Sequence, residues 1–339
     1  MEKLTTRAPD FRNLAAVLEK KAPSRATLFE FYLNNRLYSR LTGQPFNGHF
    51  LASPEVTVPA NIAAGYDYVM LLGSLFNFPD GQHTSLQSRS LNDGSVITDR
   101  ASFDAYEWPD PLDFDYGLLD TAAALMPKGM SAIVCGPGGV LENVIRLVGY
   151  ENLCFMLADD EPLAADIFEA VGSRMLQYYK RCLNHPCIAA VMSNDDWGFA
   201  GGTMLTPDQL RRHVFPWHKQ IVALAHASGR YAMLHSCGNY SAIIADIIDD
   251  MKFDARHSYE DNTIPVERAY EALQGRIAVL GGLDVDFLVR SSEDDIRHRA
   301  QAMLSKAAAG GYALGSGNSI PEYIPNAHYF AMIKAGLDA

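Results

Sequence analysis

The sequence predicts an α/β protein, a (β/α)8 TIM barrel with an N-terminal helical extension, with all 339 residues in one domain. Two patterns point to it. From about residue 130, short β-branched runs alternate with longer amphipathic segments, which is the signature of parallel strands joined by crossover helices. The runs are also apolar on both faces, as strands covered by helices on one side and a barrel interior on the other should be. The length of 339 residues accommodates two domains of roughly 150 residues or one large barrel, and no linker divides it.

Taken in order, the first 60 residues hold helical stretches over Phe11 to Lys21 and Leu28 to Leu41 that lack strand partners and are expected to cover the bottom of the barrel. YDYVMLLG reads as a strand, and a further strand is expected near Phe50 to Val58. Asp80 to Asp115, rich in Asp, Ser, Gly and aromatic residues including Tyr106, Trp108 and Phe114, reads as a long excursion. SAIVCGPGG, IAAVMSNDDWG, YAMLHSCGN, KFDARHS, RIAVLGGLD and GYALGSGNSIP supply the remaining strands. Thr206, Pro207 and Gln209 form a helix start whose helix ends at Gly229 and should kink at Pro216. Another helix opens at about Ser292 with acidic residues at its positive end and closes at Gly310 and Gly311.

Forty acidic against 28 basic residues leave a net charge of −12, which repels a phosphate backbone and argues against nucleic-acid binding. No apolar run approaches the roughly 20 residues needed to span a bilayer, and MEKLTTRAPDFRNL lacks a signal-peptide core, so a cytoplasmic protein without a membrane partner is expected. Cys135, Cys154, Cys182, Cys187 and Cys237 are scattered and odd in number, and are read as reduced thiols.

Candidate chemistry gathers at strand ends. In LHSCGN, His235 and Cys237 stand two apart, so a strand aims imidazole and thiol to one side. Imidazole and thiolate suit Zn²⁺, and three ligands with an open position describe a catalytic zinc. The next strand ends RHSYED, where Glu260 is the preferred third ligand and His257 its competitor. In NDDWG only one of Asp195 and Asp196 can face inward, as a carboxylate that binds or protonates substrate or steadies a metal-bound histidine, while Trp197 could wall the pocket. Asn318 lies among the small polar groups of GSGNSIP, which is not a P-loop; the glycines of CGPGGV mark a tight strand-to-helix turn more readily than a phosphate cradle.

Together LHSCGN, NDDWG, GGLD and GGYALGSGNSIP resemble the uroporphyrinogen decarboxylase superfamily from about Met130 onward. The His-x-Cys strand is similar to that of its zinc-dependent methyltransferases that work with cobalamin proteins, and more distantly to cobalamin-independent methionine synthase. That resemblance implies zinc held by His, Cys and a later Cys with a Glu nearby; His235 and Cys237 match the first two and Glu260 the glutamate. Asn318 stands at or near the later cysteine's place, and RATLFEFYLNNRLYSR has no counterpart of the decarboxylase's arginine-rich substrate grip.

The resulting expectation is a zinc-dependent methyltransferase carrying a methyl group from a small donor, a methoxylated aromatic among the candidates, to the cobalamin of a separate corrinoid protein. Its metal ligands are His235, Cys237 and Glu260, its catalytic carboxylates Asp195 and Asp196, and its substrate-binding residues Trp197, His257, Tyr259 and Asn318. A homodimer is left open. The alternatives are a metal-free decarboxylase and a non-catalytic binding subunit of a corrinoid system.

Overall fold

The structure is a computed structural model and describes residues 4–81 and 91–339. Seven parallel strands form one curled sheet: β1 (Tyr68–Leu72), β2 (Ser131–Cys135), β3 (Ile188–Asn194), β6 (Tyr231–His235), β7 (Ala255–His257), β8 (Ala278–Leu280) and β9 (Tyr312–Ala313). A short hairpin, β4 (Gly198–Phe199) and β5 (Gly202–Thr203), projects beyond β3. Helices lie between successive strands, so every main-sheet neighbour follows a crossover connection. Each of the seven runs read as a strand contains one of the seven main-sheet strands.

The eighth position is filled differently from expectation. Phe50–Ala52 is a 3-10 turn and Pro54–Ala64 a helix beginning with proline, so no strand forms near Phe50 to Val58. Instead the chain around Leu28, read as helical, is extended: Leu28 bridges Leu314 in parallel, and Phe29 N–H donates to the Leu314 carbonyl at 2.8 Å. Its other edge meets β1 through a side chain. The Tyr68 hydroxyl accepts from Glu30 N–H at 2.8 Å and donates to the Glu30 carbonyl at 2.5 Å. A TIM-barrel-like α/β fold results, with seven laddered strands and a tyrosine spanning the remaining gap.

The helix Arg12–Leu18 does lie at the bottom, since Phe11 N–H donates to Gly129 O, just before β2, at 2.8 Å and Asp10 N–H to Asp67, just before β1, at 2.8 Å. The second helix, Asn35–Thr42, begins at the opposite rim, where Asn34 donates to the Pro321 carbonyl beyond β9 at 3.0 Å. Thr206 caps its helix through a reciprocal pair with Gln209, and a wide π turn at Leu210–Val214 precedes Pro216, whose missing N–H cannot continue the regular ladder. Ser292 caps Glu293–Lys306 as its acidic first turn predicts. In the Asp80 to Asp115 excursion, residues 82–90 lie outside the described residues; beyond them Trp108 packs against Phe78, Phe103 and Tyr106. Among the described residues no helix is long and apolar enough to cross a membrane.

Candidate metal centre

Strand register assembles the centre. β3, β6 and β7 place Asn194, His235 and His257 side by side at their carboxyl ends, the end where barrels gather their functional groups. His235 and Cys237 leave β6 on the same side, and Asp196 arrives from the loop after β3. Ligand atoms of Asp196, His235 and Cys237 all lie within 4.8 Å of one another. Cys237 Sγ and His235 Nε2 are 3.9 Å apart, near the roughly 3.5 Å between sulfur and nitrogen ligands of a tetrahedral zinc.

A hydrogen-bonded chain sets which histidine nitrogen faces the cluster. The Ser316 carbonyl can only accept, so His257 Nε2, at 3.2 Å, carries a proton. His257 is buried and its charged form strongly disfavoured, its pKa pushed down to about 3, so Nδ1 is a bare acceptor. Nδ1 of His235 lies 2.8 Å away and must donate to it. The remaining lone pair of His235, on Nε2, therefore points at Cys237. Phe31, delivered by the eighth segment, stacks on the His235 ring at 4.4 Å between centroids.

Cys237 receives two hydrogen bonds at sulfur, from Asn318 Nδ2 at 3.3 Å and Ser258 Oγ at 3.4 Å. Burial and then the Asp196 charge push its thiol up to about 12, so it keeps its proton until a cation displaces it. Asp196 accepts from Cys237 N–H at 2.7 Å, and burial raises its pKa. A partly buried carboxylate, a neutral imidazole with an aimed lone pair and a supported thiol form a donor set for a borderline divalent metal.

Of the paired aspartates, Asp195 turns the other way. It is fully buried and accepts from Leu141 N–H at 3.0 Å, Glu142 N–H at 2.9 Å, Trp197 Nε1 at 2.8 Å and His218 Nε2 at 2.8 Å. Three donors crowd Oδ2 and one holds Oδ1, and with no exposed surface the carboxylate is closed to a substrate. Two of them are the free N–H groups opening the helix Val140–Val148, so Asp195 occupies the anion position that the CGPGGV turn creates. Trp197, expected as a pocket wall, is fully buried against Phe215 and His218. His257, expected to touch substrate, is fully buried with both ring nitrogens engaged.

Glu260 is not among the atoms within 4.8 Å of the cluster; it stands half-buried at the edge, where its charge raises the Cys237 thiol. Asn318 supports the sulfur, as described, and Tyr259 packs under the Arg256 guanidinium. Sequence reasoning missed His218, whose Nδ1 meets Ser193 Oγ at 2.8 Å, and Glu142, whose buried carboxyl is pushed up to about 8 by burial and by Asp195 and Asp196. Neither belongs to a strand-end motif, the only signal that drew attention to side chains.

In its three-dimensional structure the chain is similar to a methyltransferase from Methanosarcina mazei, with TM-score 0.69, 16% identity and 98% and 99% of the two chains covered. It is also similar to a protein from Listeria monocytogenes assigned as a vitamin-B12-independent methionine synthase, with TM-score 0.53, 10% identity and 98% of each chain covered. At these identities the likeness is one of fold. No curated protein matches the chain in sequence. Residues 66–337, however, match the uroporphyrinogen decarboxylase (URO-D) family, from the first barrel strand almost to the C-terminus. The chain is a member of the uroporphyrinogen decarboxylase (URO-D) family.

Proposed function

We propose that this protein is a zinc-dependent methyltransferase that moves a methyl group from a small donor, such as a methoxylated aromatic, to the cobalamin of a corrinoid partner protein. The observation that carries the reading is the convergence of Asp196, His235 and Cys237 at the carboxyl ends of the strands. URO-D family membership and the methyltransferase fold-likeness agree with it. Those three residues would hold the zinc, with Glu260 as a further carboxylate at the edge.

Bound there, zinc would supply Lewis acidity to the heteroatom that releases the methyl group. The protein's own part is to prepare the donors. The Ser316–His257 chain holds His235 in the tautomer that presents Nε2. Asn318 and Ser258 orient the Cys237 sulfur, and Cys237 N–H fixes one Asp196 oxygen. A carboxylate in the third place donates less electron density than a second thiolate, which suits activation of an oxygen leaving group.

Metal analysis of the purified chain beside Cys237→Ala, followed by methyl-donor screening with cob(I)alamin, tests the reading. Stoichiometric zinc lost in the variant, with donor-dependent methylcobalamin formation, is the expected result. Absence of zinc binding in both proteins on zinc addition would overturn it.

A further inference from the structure

Successive residues of a strand face opposite ways, so while His257 points to the metal centre, Arg256 points outward beneath the helix layer. There it reaches a cavity of about 410 Å³ between the 238–244 segment and the helix Val266–Leu273. Arg256 is only 4% exposed, yet among the described residues it has no carboxylate partner. Its guanidinium lies 4.3 Å from the Tyr240 ring centre and 4.7 Å from that of Tyr259. Its single hydrogen bond is a long one, 3.4 Å, to the Ser236 carbonyl, and Nε has no partner. The Tyr259 hydroxyl, on a residue 1% exposed, lies beside that guanidinium but makes no hydrogen bond of good geometry.

A guanidinium cannot shed its proton, and cation–π contact offsets only part of the cost of burying it without an anion. Arg256 and Tyr259 both line the cavity and each carries a buried polar atom without a good partner, so an acceptor bound against them would complete their hydrogen bonding. The other cation at the cavity, Arg276, is already paired with Asp249 at 3.2 Å. The remaining walls include Ile244, Ile264, Ala269 and Leu273, with Asn239, Ser241 and Thr263 as uncharged polar groups. One planar, two-pronged unpaired cation in a mostly apolar cavity matches a carboxylate better than phosphate, which calls for several charged donors.

We propose that this cavity binds a small monocarboxylate with an apolar body, its carboxylate accepting from the Arg256 guanidinium and the Tyr259 hydroxyl. The site lies across β7 from the metal centre and does not rest on methyl transfer. Its ligand would nonetheless touch the chain that shapes that centre, because Arg256 holds the Ser236 carbonyl and Tyr240 meets Ser236 Oγ at 2.9 Å.

The test is calorimetric titration of benzoate into the full-length chain stripped of metal by a chelator, so that no carboxylate binds a metal ion. Benzamide serves as the neutral counterpart and inorganic phosphate as the competing anion. Benzoate should bind saturably, with benzamide weaker by at least about tenfold, the scale of a charged hydrogen bond. Arg256→Met should weaken benzoate by a similar factor, and Ala272→Trp, at an exposed lining position, should block it. Should Arg256→Met not fold, Ala272→Trp and Tyr259→Phe decide the matter, each expected to reduce affinity. The proposal is overturned by no saturable binding, by equal binding of benzamide, by tighter binding of phosphate, or by full affinity in Ala272→Trp.

Discussion

His235 and His257 share one proton-bearing contact, Nδ1 to Nδ1 at 2.8 Å, and the Ser316 carbonyl behind them makes its direction unambiguous. The inner histidine thus donates to the outer one and presents Nε2 to Asp196 and Cys237. His257→Ala removes the acceptor and leaves the His235 tautomer unset. Metal affinity should fall about 10- to 100-fold, the usual effect of losing a partner behind a ligand. Competition against a chromophoric chelator measures it; unchanged affinity in the folded variant would dismiss the role.

Asp195 is the anchor of the loop that carries Asp196. In Asp195→Asn one oxygen becomes an NH2 group facing N–H donors that it cannot accept from. The expected loss of stability is about 1–3 kcal/mol, the cost of leaving buried donors without an acceptor, measured by urea denaturation. A variant within about 0.5 kcal/mol of the parent would show that Asp195 does not anchor the loop.

Gly139 is required by the same carboxylate. A Cβ there would stand 2.1 Å from Asp195 Cγ, a distance that backbone or aspartate must relieve. Gly139→Ala should cost about 1–3 kcal/mol, read by the same denaturation. Full stability would mean the turn relaxes freely.

Glu30 predicts the alkaline side of the stability profile. Burial pushes its carboxyl from 4.5 up to about 8, against the lowering effect of Ser316 N–H and Oγ. The folded chain therefore keeps this proton to about pH 8, whereas the unfolded chain releases it above 4.5. Between those values the group's contribution declines by up to about 1.4 kcal/mol per pH unit, being full below the window and lost above it. Glu30→Gln, which can still accept from Ser316 N–H and donate to Oγ, should flatten that decline, leaving the portion due to Glu142. Denaturation at a series of pH values checks it, and parallel profiles would refute the assignment.

How far the sequence could be read depended on where regular periodicity stopped. Seven strands are legible because they are short runs bounded by turns, most of them apolar though β7 carries Arg256 and His257, and the two-residue period puts His235 and Cys237 together. That rule also said that Asp195 and Asp196 diverge, yet which one turns to the cluster depends on the helix opening at Val140, remote in sequence. For the third ligand the sequence offers Glu260 with His257 as its competitor, and strand alternation cannot choose between them or point to Asp196, because β3 ends at Asn194 and β7 at His257. The segment around Leu28 carried no strand signal because only one of its edges is laddered, while Tyr68 bridges the other.

That segment ties the two ends of the chain together. Glu30 accepts from Ser316, 286 residues away, and Leu28 can meet Leu314 only when both exist. During synthesis the last barrel position must therefore wait until Leu314 and Ser316 have left the ribosome. Phe29, Phe31 and their neighbours stay uncovered for that time, as apolar surface open to other chains. Such long-range closure is slow, because loop entropy is lost before the contact is made. A nascent chain stalled before Leu314 should accordingly have every preceding strand available and still lack the seal that brings Phe31 onto His235.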